Sequence, residues 1–449
     1  MEKNNSKQTR KGNEVKALFD TPNKQNESEI EGALCYVRGR VYEHLDNRER
    51  AIFWYKKALE KDVYCYEAFE RLVGGHMLSG IEEITLLSRF SSSTSTPTWL
   101  KEYYGLQMNR YQRPLPLAQE VSKLCLTIES TRDNAESLRS FADLFYHHNR
   151  FHEAYEITSK ILEVDPFNFD NKVYSLHLSC LVELGKKTDL FYLAHKLVED
   201  DAETAIGQYA VGCYYYLIGK FDSARNFFRK ATTIDPHFGE AWIAFAHSFS
   251  AQGEHDQSMA AYRNASRMLT GCHLPSLCIG MEYIRLNNFS LASKFLLSAK
   301  EICSFDPLLY NELGCIAYKE QNWQEAADHF TTVLKIVDEN DSNTFQACWE
   351  PTIFNLGHCY RKLQMYEKAL EKYQLALSIS PMSYSIYSAI GFTYHLLNEM
   401  DLAMDFYHRA LGINSRDTFS SDMLKKAMEE YDCNLEKEIP RMTMDEVDL

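Results

Sequence analysis

The chain has 449 residues, of which 45% are hydrophobic, so it is long enough for several domains or one elongated array and too apolar to be disordered throughout. Its net charge of −15 argues against non-specific binding to nucleic acid, which needs a basic surface. The sequence contains no apolar run of the roughly 18 residues that a membrane span needs, so we expect no membrane contact. It also lacks an apolar N-terminal signal, and its 12 Cys include no C-x-x-C pair. We therefore expect a reducing location, in the nucleus and cytoplasm.

The N-terminal part of the chain contains the first ordered element that we predict. Residues 1–32 are polar, with charges of both signs, and we expect them to be disordered. The segment 33–78 is predicted to form one helix pair followed by a further helix. Its skeleton is a glycine, an aromatic residue three positions on, an alanine nine further, an aromatic residue four further and an alanine three further. These positions are Gly39, Tyr42, Ala51, Tyr55 and Ala58.

The next segment, 79–137, lacks this skeleton. A small polar run at 91–97 and an Arg-Pro-Leu-Pro run at 113–116 interrupt it, so we expect an irregular helical connector with short helices. The skeleton returns in 138–431. Its second unit, 168–200, is degenerate, and there only Tyr192 keeps an anchor position.

Beyond residue 200 the skeleton recurs with a period of 34 residues, interrupted by a nine-residue insertion within 338–349. The small residues of successive units are Gly212, Ala246, Gly280, Gly314, Gly357 and Gly391. The large residues that should pack against them are Phe228, Tyr262, Leu296, Phe330, Tyr373 and Tyr407. Residues 417–431 are predicted to form a capping helix, and 432–449 an acidic, disordered tail.

This period and skeleton are those of the tetratricopeptide repeat (TPR), a pair of antiparallel helices in about 34 residues. A small residue lets two helices approach closely, and a proline such as Pro236 ends the second helix. A large irregular helical protein would not predict a constant period. We therefore predict an all-α TPR solenoid whose stacked pairs form a superhelix with a concave groove.

The sequence lacks the common catalytic and cofactor signatures. No nucleophile elbow, phosphate-binding loop, dinucleotide fingerprint or zinc-ligand spacing occurs, so we expect a non-catalytic protein with no cofactor and no metal. His147, His148 and His152 resemble a metal pair, but no further ligands surround them. The histidines that recur on first helices are interpreted as packing or groove residues.

Function is then expected on the surface of the groove. Residues just after each small position, and three to four further, should face it, although each could instead pack against a neighbouring helix. The candidates are Cys213, Tyr216, His247, Ser250, Met281, Ile284, Arg285, Cys315, Tyr318, Lys319, His358, Arg361, Lys362, Phe392 and His395. Their mixture of apolar, aromatic and basic side chains suits a peptide with an apolar anchor and some acidic character.

Several stretches between the skeleton positions are more specific than a generic repeat. They are 38–47 (RGRVYEHLDN), 59–69 (LEKDVYCYEAF), 210–216 (AVGCYYY), 241–248 (AWIAFAHS), 254–262 (EHDQSMAAY), 271–275 (GCHLP), 355–358 (NLGH) and 385–391 (SIYSAIG). With these stretches the chain, from about 33 to 430, resembles subunit six of the anaphase-promoting complex, the cell-division-cycle-sixteen family.

The resemblance implies a non-catalytic scaffold subunit of a ubiquitin ligase that marks mitotic regulators for destruction. It implies contacts with other TPR subunits and a very small stabilising subunit bound in the groove. Family members form homodimers through N-terminal repeats, and 1–32 has no repeat skeleton, so homodimerisation stays open. A truncated form, an incomplete gene model and a divergent paralogue are three explanations of that difference. The alternative function is a free TPR adaptor that binds chaperone or trafficking peptides.

Overall fold

A computed structural model describes residues 24–45, 47–92, 97–108, 135–164, 171–201, 203–340 and 347–438. Its elements in these ranges are helices without a strand, which confirms the predicted all-α architecture. The chain divides into two compact units. Unit 1 comprises Met1–Asn287 and Leu297–Ser304, and unit 2 comprises Asn288–Leu296 and Phe305–Leu449.

Unit 1 is built from antiparallel helix pairs. Its helices are α1 (Lys24–His44), α2 (Arg48–Lys61), α3 (Tyr66–Gly74), α4 (Gly80–Ser92), α5 (Thr98–Gln107), α6 (Ala135–His147), α7 (Phe151–Val164), α8 (Asn171–Glu183), α9 (Lys187–Asp200), α10 (Ala205–Leu217), α11 (Phe221–Ile234), α12 (Gly239–Ser250), α13 (His255–Met268) and α14 (Leu274–Arg285). Helix α15 (Phe289–Ile302) has its first part in unit 2 and its last part in unit 1.

Unit 2 continues the same architecture. Its further helices are α16 (Pro307–Lys319), α17 (Trp323–Asn340), α18 (Glu350–Lys362), α19 (Tyr366–Ile379), α20 (Tyr384–Leu396), α21 (Met400–Ile413) and α22 (Thr418–Glu438). A short 3-10 helix, Ala347–Trp349, lies at the end of the segment in which the insertion was predicted.

The predicted contact between small and large residues is confirmed where the pair lies within one unit. A Cβ atom at Gly212 would lie 2.5 Å from Cε1 of Phe228, whose ring is fully buried. In unit 2 a Cβ at Gly357 would lie 2.5 Å from Cε1 of Tyr373. The ring therefore rests on the bare backbone of the first helix, and the glycine permits the close approach of the two helices.

The degenerate unit has the residue sizes at these two positions exchanged. Leu178 occupies the glycine position and Ala194 the aromatic position, 34 residues before Gly212 and Phe228. Both residues are buried in the core of unit 1. The prediction that Tyr192 anchors this unit is wrong, because its side chain is 72% exposed and Leu190 is buried instead.

The N-terminal helices differ from the predicted boundaries. Helix α1 begins at Lys24, and Ser28 donates a hydrogen bond to the carbonyl of Lys61 at 2.5 Å, so part of the segment expected to be disordered is helical. In the predicted connector, Phe90 of α4 and Tyr104 of α5 are buried in one core with Phe69. The helices after residue 78 therefore belong to the N-terminal core. Residues 1–23, 109–134 and 439–449 of the predicted segments lie outside the described residues.

One face of α1 is apolar and exposed. Its residues, continued by Leu45 just after the helix, recur every three or four positions and are between 52% and 68% exposed: Ile30, Leu34, Val37, Val41 and Leu45. Contiguous exposed apolar surface of this kind is typical of an interaction site.

Tight turns join the two helices of each pair. In eight of the described turns the second or third residue after the end of the first helix has a positive φ, and in seven of them the next N–H donates back into the last turn, as in a Schellman motif. Lys220 N–H, for example, donates to Tyr215 C=O at 2.9 Å. The positive-φ residues are Asn149, Gly185, Gly219, Gly253, Asn287, Gln321, Gln364 and Asn398.

Candidate functional site

The recurring histidines pack against the tyrosine anchors. In unit 1, Nδ1 of His247 on α12 lies 2.8 Å from the Tyr262 hydroxyl on α13. In unit 2, Nδ1 of His358 on α18 lies 2.7 Å from the Tyr373 hydroxyl on α19. Burial lowers the pKa of each histidine from 6.5 to about 4, so both side chains are neutral at pH 7.

These contacts explain why a histidine follows the small residue of the first helix in these two repeats. A buried tyrosine hydroxyl needs a hydrogen-bond partner, and in these two repeats a histidine on the first helix of the pair supplies it. Where the anchor is phenylalanine no partner is needed, and cysteine follows the glycine instead: Cys213 accompanies Phe228, and Cys315 accompanies Phe330. In these four repeats the residue after the small position follows the identity of the anchor, which supports the packing interpretation made from the sequence. The last repeat is an exception, because Phe392 follows Gly391 and the buried Tyr407 hydroxyl has no hydrogen-bond partner among the described residues.

Cys213 was predicted to line the groove, and its position does not allow this. Its side chain is 4% exposed and lies in the unit 1 core with Phe228. Burial raises the pKa of Cys213 to about 12, so the group is an inert, protonated thiol at neutral pH. Cys315 in unit 2 is partly exposed, and burial raises its pKa to about 12 as well.

Four other candidates in unit 1 retain exposed surface. Tyr216, Met281 and Ile284 are partly exposed, and Arg285 is exposed. Tyr216 packs edge to face against Phe221. The Arg285 guanidinium donates to the Glu282 carboxylate at 2.9 Å and to the Ser250 hydroxyl at 2.5 Å.

Glu282 is a residue that the sequence analysis missed. Its side chain is 2% exposed, and its carboxylate binds Ser250 and His255, both at 2.6 Å, besides Arg285. These contacts join α12, α13 and α14, because a buried carboxylate requires hydrogen bonds from its surroundings. The signal was present: Glu282 stands two residues after Gly280, where the units on either side have the uncharged Ser248 and Ile316.

Most unit 2 candidates already have contacts within the protein. The Lys362 ammonium lies 5.6 Å from the ring centre of Trp323, which also packs edge to face with Tyr318. The Arg361 guanidinium lies 4.9 Å from the ring centre of Phe392.

The two remaining candidates of unit 2, His395 and Lys319, differ from each other in this respect. His395 Nε2 lies 3.0 Å from the Glu430 carboxylate on the capping helix α22. Lys319 at the end of α16 is exposed and has no ion-pair partner in the part of unit 2 that the structure describes. Lys319 is therefore the candidate whose charge is most available to a ligand.

The histidines at 147–152 form no metal-like arrangement. Nδ1 of His148 lies 2.9 Å from the carbonyl of Leu144. Over the described ranges, no three His, Cys, Asp or Glu side chains lie close enough together to hold a metal ion. Over the same ranges, no helix has both the length and the apolar character of a membrane span.

Family models match parts of the chain. A model described as "TPR repeat" matches 357–398, and a model described as "Tetratricopeptide repeat" matches 33–60, 207–238 and 384–417.

Longer similarities cover most of the chain. "Anaphase-promoting complex subunit 6" of Arabidopsis thaliana is 38% identical over 91% of this chain and 76% of its own length. "Anaphase-promoting complex subunit cut9" of Schizosaccharomyces pombe is 39% identical over 89% of this chain, and "Cell division cycle protein 16 homolog" of Homo sapiens is 38% identical over 90%. The chain spans 60% and 65% of the length of these two relatives.

A solved structure resembles this one over the same extent. The crystal structure of the APC/C hetero-tetramer Cut9-Hcn1 has a TM-score of 0.77 and 38% sequence identity. The match covers 88% of this chain and 76% of the other chain.

Proposed function

The chain belongs to the family of subunit six of the anaphase-promoting complex, and from this membership we propose that it is a non-catalytic scaffold subunit of that ubiquitin ligase. The observation that carries the proposal is the 38% identity to the Arabidopsis thaliana subunit, which extends over 76% of that relative's length. In this role the chain supports ubiquitination of mitotic regulators by holding other subunits. Its proposed locations are the nucleus and the cytoplasm.

The packing of the titratable residues supports a role without chemistry of its own. The two histidines with tyrosine partners, His247 and His358, bridge the helices of their own repeats. Burial lowers their pKa values to about 4, far from the neutral range where a general base is most useful. Their contacts stabilise helix pairs, as a scaffold requires.

We further propose that first-helix surfaces bind a very small subunit and other TPR subunits. The crystallised relative is named together with a partner, Hcn1. In unit 2 the partly exposed Tyr318 and the exposed Lys319 lie on the same helix, α16, and offer an aromatic surface beside an available cation. This pairing suits an extended segment with an apolar anchor and a carboxylate.

Affinity purification of the full chain from dividing cells tests the proposal. We expect recovery of cullin-like, RING and other TPR subunits, and loss of none of them when the exposed His152 is replaced by Gln. Recovery of chaperones in their place, with micromolar binding of an acidic chaperone tail peptide to the full chain, would identify a free adaptor instead.

A further inference from the structure

Two turns that are distant in sequence meet within unit 1. The Gly271 N–H donates to the His76 carbonyl at 2.7 Å, and the Thr270 hydroxyl donates to the same oxygen at 3.1 Å. His76 lies between α3 and α4, and residues 270–271 lie between α13 and α14. The two turns are 194 residues apart along the chain.

The approach of these turns depends on a residue without a side chain. A Cβ atom at Gly271 would lie 2.3 Å from the Leu78 carbonyl oxygen and 3.1 Å from the His76 carbonyl oxygen. Both obstacles are backbone atoms, so they cannot move aside as a flexible side chain could. Any other residue at this position would force the two turns apart.

Buried apolar residues flank the contact on both sides, although Thr270 itself is exposed. Met77 and Leu78 are 4% and 1% exposed, and Leu269 and Cys272 on the other turn are also buried. Gly271 is also buried, so the loss of its N–H bond to the His76 carbonyl would be costly without a replacement.

Two side-chain contacts also join α2 and α3 to later repeats. Arg48, the first residue of α2, donates to the Met268 carbonyl at the end of α13, and its Nη2 lies 3.6 Å from the Met268 sulfur. The Lys172 ammonium on α8 lies 3.0 Å from the Glu70 carboxylate on α3. Helices α2 and α3 are thus tied to two separate later repeats.

We propose that the turns at 76–78 and 268–271, with Arg48, form an intramolecular clasp that fixes the N-terminal helices α2–α4 on the α13–α14 turn. A repeat array is held mainly by contacts between neighbours, so small rotations add up along it and its ends move widely. A direct bond between distant repeats removes that freedom.

The clasp also constrains the helices of unit 1 that carry candidate binding residues. Helix α13 carries Tyr262, the partner of His247, and α14 carries Glu282 and Arg285. The clasp thus holds the helices that present these groups at a fixed distance from the N-terminal helices. This inference does not depend on membership of a complex.

Hydrogen–deuterium exchange of the full chain tests the clasp. The variants are Gly271→Ala and Arg48→Ala. The matched controls are Gly412→Ala, where an added Cβ meets nothing within 4 Å, and Arg50→Ala on the same helix as Arg48. In both clasp variants we expect exchange to rise about tenfold in peptides covering 74–79 and 268–273, the scale of one lost net hydrogen bond. Peptides covering 205–234 should stay unchanged, as should the controls.

Three results would overturn the clasp. In the first, exchange rises at 268–273 and not at 74–79. In the second, neither turn responds to Arg48→Ala, which leaves the backbone at Gly271 intact. In the third, both clasp variants lose protection throughout 205–234, because the contact would then be part of the general core.

Discussion

In four repeats the large aromatic residue of the second helix correlates with the residue that follows the small position on the first helix. Tyr262 and Tyr373 have histidine partners, whereas Phe228 and Phe330 stand opposite cysteines. Each of these two histidines binds a buried hydroxyl, so a histidine on a first helix is weak evidence of function unless the anchor is also considered. Tyr407 lacks such a partner among the described residues, because Phe392 follows Gly391.

The first prediction concerns acid stability. The unfolded chain protonates His247 and His358 as the pH falls below 6.5, whereas the folded chain does so only near pH 4. Acidification therefore favours unfolding, by about 1 to 2 kcal/mol per side chain between pH 7 and 5. Denaturant unfolding at both pH values should show a shallower loss for the His247→Gln/His358→Gln double variant than for the wild type.

The comparison between variant and wild type isolates the histidines. Burial raises the pKa values of Glu183 and Glu240, which acts in the opposite direction, and these groups are present in both proteins. The control is His152→Gln, at an exposed position. Equal pH dependence for the double variant and the wild type would contradict the assignment of neutral, partly buried histidines.

The second prediction concerns Gly357, which has no side chain and so leaves room for the Tyr373 ring. Gly357→Leu should destabilise unit 2 by about 3 kcal/mol, the upper part of the usual range for overpacking. Adding Tyr373→Ala should restore part of the loss, because it reproduces the Leu178 and Ala194 pair of the degenerate repeat. Thermal and denaturant unfolding measure both changes.

Gly412→Leu is the control for this pair, since a Cβ there meets nothing within 4 Å. It should be neutral or slightly stabilising. If the double variant were less stable than Gly357→Leu alone, the exchange of sizes would not be the reason for the degenerate unit.

At the scale of the element, the helix pair closes through a left-handed residue that the skeleton did not identify. Three of the turns use glycine, while Gln364 has φ 63° and Gln321 has φ 68°. A side chain in this conformation costs about 1 to 2 kcal/mol. The third prediction is that Gln364→Gly stabilises the protein by about 1 kcal/mol, after the added flexibility of the unfolded chain is subtracted.

Denaturant unfolding checks this gain. The matched control is Gln374→Gly in the interior of α19, which should lose about 1 kcal/mol because glycine is a poor helix former. A loss at both positions would show that the left-handed turn stores no strain that glycine relieves.

The fourth prediction concerns the apolar face of α1. Its five exposed aliphatic residues would bury apolar surface if a second copy packed against them, so we expect association that grows with concentration. Val37→Glu/Val41→Glu should abolish it, while His44→Glu on the same helix should not. Sedimentation velocity over a range of concentrations measures this. Association of unchanged strength in the double variant would remove α1 as the contact.

At the scale of the whole molecule, the local periodicity of the sequence was sufficient to predict most of the fold. The 34-residue spacing of small and large residues predicted the helix pairs because each pair is stabilised within a short stretch of chain. The clasp could not be predicted, since Thr270 and His76 meet across 194 residues and neither has a local signal for the other.

The candidate surface was predicted less completely than the fold. Position after the glycine identified the first-helix side chains, but not their partners. Cys213 lies in the core, and the Arg361 guanidinium lies over the Phe392 ring. Glu282 was missed because the three side chains that bind its carboxylate cannot be identified from its own repeat position. Burial and partnership depend on the neighbouring helix, which a single repeat does not specify.

The most direct test of the proposed scaffold role is the mass of the full chain by light scattering, with and without the very small subunit. We predict a stable complex whose mass rises by one small subunit per chain. Tyr318→Ala should weaken the complex without changing the melting temperature, because this side chain is only partly buried. Separate elution of the two proteins, with the mass of the chain unchanged, would contradict the account.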